Sequence, residues 1–143
     1  VHGFLILCDF AEAINGKLYV QGGGWSRIGV PPGAPVSIHV AGQILVPWDD
    51  ANRRRRLLVE LFNEDGQNVR LGESSDPVEM RGDFEVGRPP GLAPGTELDF
   101  TFAVRFEGMP LPSGRYKFVL TAGATQIDEV KFEVLEAQIP GPN

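Results

Sequence analysis

From Glu97 to Phe106 every second side chain is large and apolar. Leu98, Phe100, Phe102, Val104 and Phe106 fall on one side of an extended chain, and Asp99, Thr101 and Arg105 fall on the other. A period of two is the mark of a β-strand with one buried and one solvated face. Each of the five apolar side chains contributes roughly 1.5–3 kcal/mol when buried, which places this segment at the centre of a core. The rest of the chain follows the same rule. It spreads 18 glycines and 12 prolines over 143 residues, more breakers than a helical bundle tolerates but a natural density for short strands joined by turns.

Further strands are read from the same alternation. His2–Asp9 is a short apolar run expected to be buried on both faces, with Ala11–Ile14 as an irregular link. Asn15-Gly16 is a strong hairpin signal and leads into Lys17–Val20. The glycines at 22–24 predict a bulge or a close backbone approach, and Trp25–Val30 follows. Val36–Val46, Arg54–Asn63, Asn68–Leu71, Val78–Val86, Arg115–Ala122 and Ile127–Leu135 complete the set. About nine strands, 8–14 residues apart and with no helix longer than one turn, specify an all-β fold: an antiparallel two-layer β-sandwich of immunoglobulin-like type. The connections Pro31–Pro35 and Gly87–Gly95 are too long for tight hairpins, which predicts Greek-key crossings. Residues 1–135 read as one sandwich domain and 136–143 as a Pro-rich tail. An ordered Gln138–Asn143 end would point to a tail held by a neighbour in an assembly.

Charge narrows the partners. The formal net charge is −6 and the pI about 4.9. That balance disfavours nucleic acid, which needs a basic face, and anionic membrane surfaces. No apolar run approaches the ~18 residues of a membrane span. A single cysteine, Cys8, allows no intrachain disulfide. Phe4–Cys8 is too short for a signal-peptide core, and Val1 is a residue that initiator-Met removal leaves in place. Cytoplasmic synthesis is the resulting expectation.

Candidate chemistry is sparse. Cys8 lies in an apolar run, where a thiol is poorly ionised and inert. His2 and His39 with one cysteine do not supply a zinc site. The carboxylates Asp49 and Asp50, and the group Glu73, Asp76, Glu79 and Asp83, lack a calcium-loop pattern and suit solvated turns better. Gly22–Gly24 lacks the following helix that a phosphate cradle requires. No catalytic set and no cofactor motif emerges, so the chain is not expected to be an enzyme. The run Arg53, Arg54, Arg55 and Arg56 stands out within a set of ten arginines and three lysines. It reads either as a docking patch for a carboxylate- or phosphate-bearing partner or as an edge guarded against aggregation, and alternation sends its members to opposite faces. Trp25 and Trp48 sit beside loops, where aromatics serve as stacking platforms in carbohydrate-binding modules or cap a core.

Leu7-Cys8-Asp9, Asn15-Gly16-Lys17-Leu18, Gly22-Gly23-Gly24-Trp25 and the closing Leu111-Pro112-Ser113-Gly114-Arg115-Tyr116-Lys117-Phe118 with Phe132-Glu133-Val134 resemble a family of small uncharacterised β-sandwich proteins of actinobacteria and their phages. The resemblance implies the sandwich and carries no activity. With it, the expected function is a non-enzymatic structural or interaction module that binds a protein surface. Its sharpest form is a phage virion component such as a capsid decoration protein or a head or tail accessory protein, with self-association as a further expectation. The contacts expected are Arg53–Arg56, the N-terminal strand edge and the two Pro-rich loops, with Trp25 and Trp48 serving the alternative of a small-ligand or carbohydrate-binding sandwich. A cellular regulatory binding protein is a third reading.

Overall fold

A computed structural model describes residues 1–137. Nine strands form in chain order: β1 (His2–Ile14), β2 (Lys17–Gly23), β3 (Arg27–Val30), β4 (Val36–Val46), β5 (Arg55–Asn63), β6 (Glu79–Phe84), β7 (Leu98–Met109), β8 (Gly114–Ala122) and β9 (Thr125–Glu136). The one helical element among the described residues is a 3₁₀ turn at Trp48–Asp50. One sheet, sheet A, has the order β2-β1-β4-β7. The other, sheet B, has the order β3-β9-β8-β5-β6. All pairings are antiparallel except β3 with β9.

The two sheets press together as the alternation requires. Ile38, Val40, Ile44 and Val46 of β4 are fully buried, as are Val59 and Leu61 of β5 and Phe118 and Leu120 of β8. All five apolar residues of the Leu98–Phe106 stripe join this core. Aromatic rings tie one sheet to the other: Phe106 of β7 lies 5.0 Å from Phe118 of β8, and Phe84 of β6 stacks on Phe100 of β7 at 4.8 Å. Phe132 continues the stack to Tyr116 at 5.6 Å. The Tyr116 hydroxyl then donates to the Pro112 carbonyl at 2.7 Å, the tyrosine corner of immunoglobulin-like sandwiches. The chain thus has an immunoglobulin-like layout without an intersheet disulfide. At Gly42 a Cβ would collide with the Phe102 ring and the Phe4 carbonyl, so glycine there lets Phe102 lie flat across β4.

Several boundaries differ from the sequence reading. β1 runs unbroken to Ile14, because Ala11–Ile14 pairs residue for residue with Lys17–Val20; there is no irregular link. β1 is buried on both faces only in part: Leu5 and Leu7 enter the core and Cys8 is buried on the other side, while Phe4 is exposed. The β1–β2 ladder keeps one register up to Gly23, so the glycines make no bulge but a close approach, with the Asp9 carboxylate occupying the space above Gly22. Asn68–Leu71 makes two isolated bridges rather than a strand. The expectation about Gln138–Asn143 lies outside the described residues.

Candidate protein-interaction surface

The β1–β2 hairpin is the least conventional part of the sandwich. Its two-residue turn is Asn15 (φ 52°) and Gly16 (φ 73°). Both residues are left-handed, which matches the twist of the flanking strands. Cross-strand partners share a face, so Phe10 with Gln21, Glu12 with Tyr19 and Ile14 with Lys17 form one side of the hairpin. Ala11, opposite Val20, and Leu18, opposite Ala13, belong to the other side.

That second side packs on the outer face of sheet A. Cys8, Ala11 and Ala41 form a separate buried cluster, with Ile6, Leu18 and Ala103 against it. The cluster draws on β1, β2, β4 and β7, so the hairpin folds over sheet A rather than extending flat from it. Alanine at 11, 41 and 103 permits this approach, since larger side chains would hold the hairpin away. His39 assists: its Nδ1 accepts the Ala11 N–H at 3.2 Å, and its ring lies 5.3 Å from that of Phe10.

The hairpin is therefore anchored from below and bare above. Phe10, Ile14 and Tyr19 on that bare side are 40%, 46% and 53% exposed. Exposed large apolar residues grouped in this way are what makes the hairpin a candidate interaction surface. Beside them runs the free edge of β2, which pairs only with β1 among the described residues. Natural edges are commonly blunted by charge, proline, bulges or brevity. β6 carries Glu79, Arg81 and Asp83. β3 has four residues and ends at Pro31-Pro32. β7 presents Asp99, Arg105 and Glu107. β2, with the sequence Lys17-Leu18-Tyr19-Val20-Gln21-Gly22-Gly23, has only Lys17 at its start.

The residues singled out from sequence lie elsewhere. Arg53 reaches Asp50 at 3.5 Å, and Arg54 reaches Asp83 at 3.5 Å. Arg55 turns inward, donates to the Asp50 carbonyl at 3.1 Å and lies 3.9 Å from its carboxylate. Arg56 is exposed and in register with Asp83. The run is thus dispersed, and three of its four members have internal partners. Trp25 meets Phe132 edge to face at 6.3 Å, with its indole N–H buried and unpartnered. Trp48 lies under the Arg88 guanidinium, which sits 4.7 Å above its ring and donates to its carbonyl. Phe132 is in register with Tyr116 and so with Asn63, whereas Trp48 precedes the start of β5. The two indoles therefore sit at opposite ends of that strand and share no lip.

The N-terminal strand edge needs correction. β2 covers β1 from Cys8 to Ile14, so over that stretch the open edge belongs to β2; nearer the start of β1 no β2 ladder forms, and the Leu5 N–H is taken by the Asp128 carboxylate at 2.9 Å. Of the Pro-rich loops, Gly87–Gly95 is tied down by Arg88 and leaves Leu92 exposed, and Pro31–Pro35 closes a turn from Ala34 N–H to the Pro31 carbonyl. Cys8 is buried, its thiol donates to the His39 carbonyl at 3.4 Å, and burial followed by the Asp9 charge pushes it above its ordinary pKa. His2 lies at the surface beside Glu97. Among the described residues no three His, Cys, Asp or Glu side chains converge as a metal site would require.

Sequence reasoning found the hairpin turn but missed its exposed apolar face, because a period-two pattern does not say which side faces the core. The available signal was Phe10, Ile14, Tyr19 and Val20 crowded around one Asn-Gly turn, more apolar area than a two-stranded arm can bury by itself. A family model described as a family of unknown function, DUF6941, matches residues 3–135. The chain belongs to this family. The DUF6941 match spans all nine strands almost end to end, so the hairpin lies within the matched region rather than being an appendage to it. A comparison with curated proteins gave no match.

Proposed function

We propose that this DUF6941 protein is a non-enzymatic structural module that docks onto a protein surface through its β1–β2 hairpin. The observation that carries the reading is the pairing of exposed Phe10, Ile14 and Tyr19 with an unguarded β2 edge. A partner strand added to that edge would gain main-chain hydrogen bonds along Lys17–Gly23, and side-chain contacts from the apolar face beside it. A second copy of the chain suits the edge: a two-fold antiparallel pairing centred on Val20 sets Lys17 opposite Gly23 and brings no like charges together.

The sequence resemblance extends this reading to a phage particle, with the chain as a capsid decoration protein or a head or tail accessory protein. Sedimentation velocity and cross-linking mass spectrometry of particles from the native host test it together. The expected result is the chain in the particles, or an oligomer in solution, with cross-links from Lys17 to another polypeptide. A monomer at every concentration, together with particles that lack the chain, overturns the reading.

A further inference from the structure

The other outer face of the sandwich holds a different feature. A cleft of about 450 Å³ opens where β3, β9 and β8 meet the turn after β5. Its volume falls within the range of small-ligand sites. Four of the thirteen basic residues line it: Arg27, Arg115, Lys117 and Lys131. The register explains the convergence. Lys117 is directly opposite Lys131 across β8 and β9, Arg115 is opposite Glu133, and Arg27 is beside Glu133 from the parallel strand β3. Their side chains share the solvent face because Tyr116, Phe118 and Phe132 take the core face.

Two cations directly opposite each other on a sheet repel. Lys117 is relieved by Glu129 at 3.5 Å. Arg27, Arg115 and Lys131 make no ion pair with any described residue, although most other basic side chains on this acidic protein have a carboxylate or carbonyl partner. Glu133 lies in register between Arg27 and Arg115, yet neither guanidinium closes on it to ion-pair distance. Asn63 and Ser26 add polar groups to the wall.

The geometry points to an oxyanion-binding site: the cleft takes a small ligand bearing a phosphate or carboxylate group, held by Arg27, Arg115 and Lys131. Two guanidiniums supply planar, forked donors that match such oxygens, and a lysine supplies a mobile charge. The ligand is small because a polyanion would meet a protein of net charge −6 and the cleft's own Glu64 and Glu133. This site lies on sheet B and is independent of the hairpin on sheet A, so either can fail without the other.

Titration of the ¹⁵N-labelled full chain with inorganic phosphate, and separately with succinate, tests the assignment at low salt. The expected result is saturable shifts of the amides of Arg27, Asn63, Gly66, Arg115, Lys117 and Lys131 with at least one probe, the tighter probe identifying the anionic group. The double variant Arg115→Gln, Lys131→Gln replaces two exposed side chains and should weaken binding by about tenfold or more. The control Arg53→Gln, Arg54→Gln should leave it unchanged. Shifts that fail to saturate with both probes, shifts spread equally over Arg53–Arg56, or affinity retained in the double variant would each overturn the assignment.

Discussion

The outer faces of the two sheets show what the same alternation does in two settings. On sheet B the solvent side is laid out as a conventional half-exposed sheet, with Arg56, Glu60, Lys117, Glu129, Lys131 and Glu133 facing water and pairing in part across strands. On sheet A the corresponding side carries Cys8, Ala41 and Ala103, and the chain covers it with its own hairpin. Covering that face displaces the problem outward: the hairpin's upper side, Phe10, Ile14 and Tyr19, becomes the exposed apolar surface. A protein that buries a sheet face beneath a two-stranded arm must leave the arm's other side bare or supply a partner for it.

The sharpest way to break the contrast is to place one charge on each face. Ala41→Glu would bury a carboxylate without a partner beneath the hairpin, and the expected loss is about 3 kcal/mol or more in denaturant unfolding. Thr121→Glu on the open face of sheet B should cost less than about 1 kcal/mol. Equal losses would show that the hairpin does not seal sheet A. Leu18→Ala tests the anchor more gently. Leu18 is half-buried, so the loss should be about 1–2 kcal/mol, and amide exchange should quicken along Lys17–Gly23 before it does anywhere in sheet B.

Two smaller effects refine the picture. Tyr116→Phe removes the corner hydrogen bond to Pro112 and should cost about 1 kcal/mol without touching the hairpin. Cys8 provides a pH test of the sealed cluster. Burial raises its pKa above the ordinary value of 9.0, so the folded state holds the thiol proton where the unfolded chain has released it. Stability that is complete below pH 9 therefore falls as pH rises above it. Cys8→Ala should flatten that decline in chemical denaturation series taken across the alkaline range, leaving the part due to Tyr116, whose pKa burial also raises. A decline unchanged by the substitution would place its origin elsewhere.

Much of this architecture was legible in the residues. The Leu98–Phe106 stripe, the Asn15-Gly16 turn and the Val36–Val46 alternation each specify local geometry by side-chain size and backbone freedom, and each is found in place. Burial by the hairpin was not legible, because Ala11, Ala41 and Ala103 look like filler until three strands bring them together. The same holds for the basic cleft. Arg115, Lys117 and Lys131 are unremarkable apart in sequence, and only the β8–β9 register makes them neighbours, whereas the conspicuous run at Arg53–Arg56 is scattered because Arg53 and Arg54 precede β5 and Arg55 and Arg56 alternate at its start.

Amide hydrogen exchange, compared between the isolated chain and the chain mixed with particles or lysate of its native host, bears most directly on the docking role proposed for the hairpin. Added protection concentrated in Lys17–Gly23, with the charged edge Glu79–Phe84 exchanging as before, is the predicted outcome. Protection gained along Glu79–Phe84 while Lys17–Gly23 stays unchanged would contradict it.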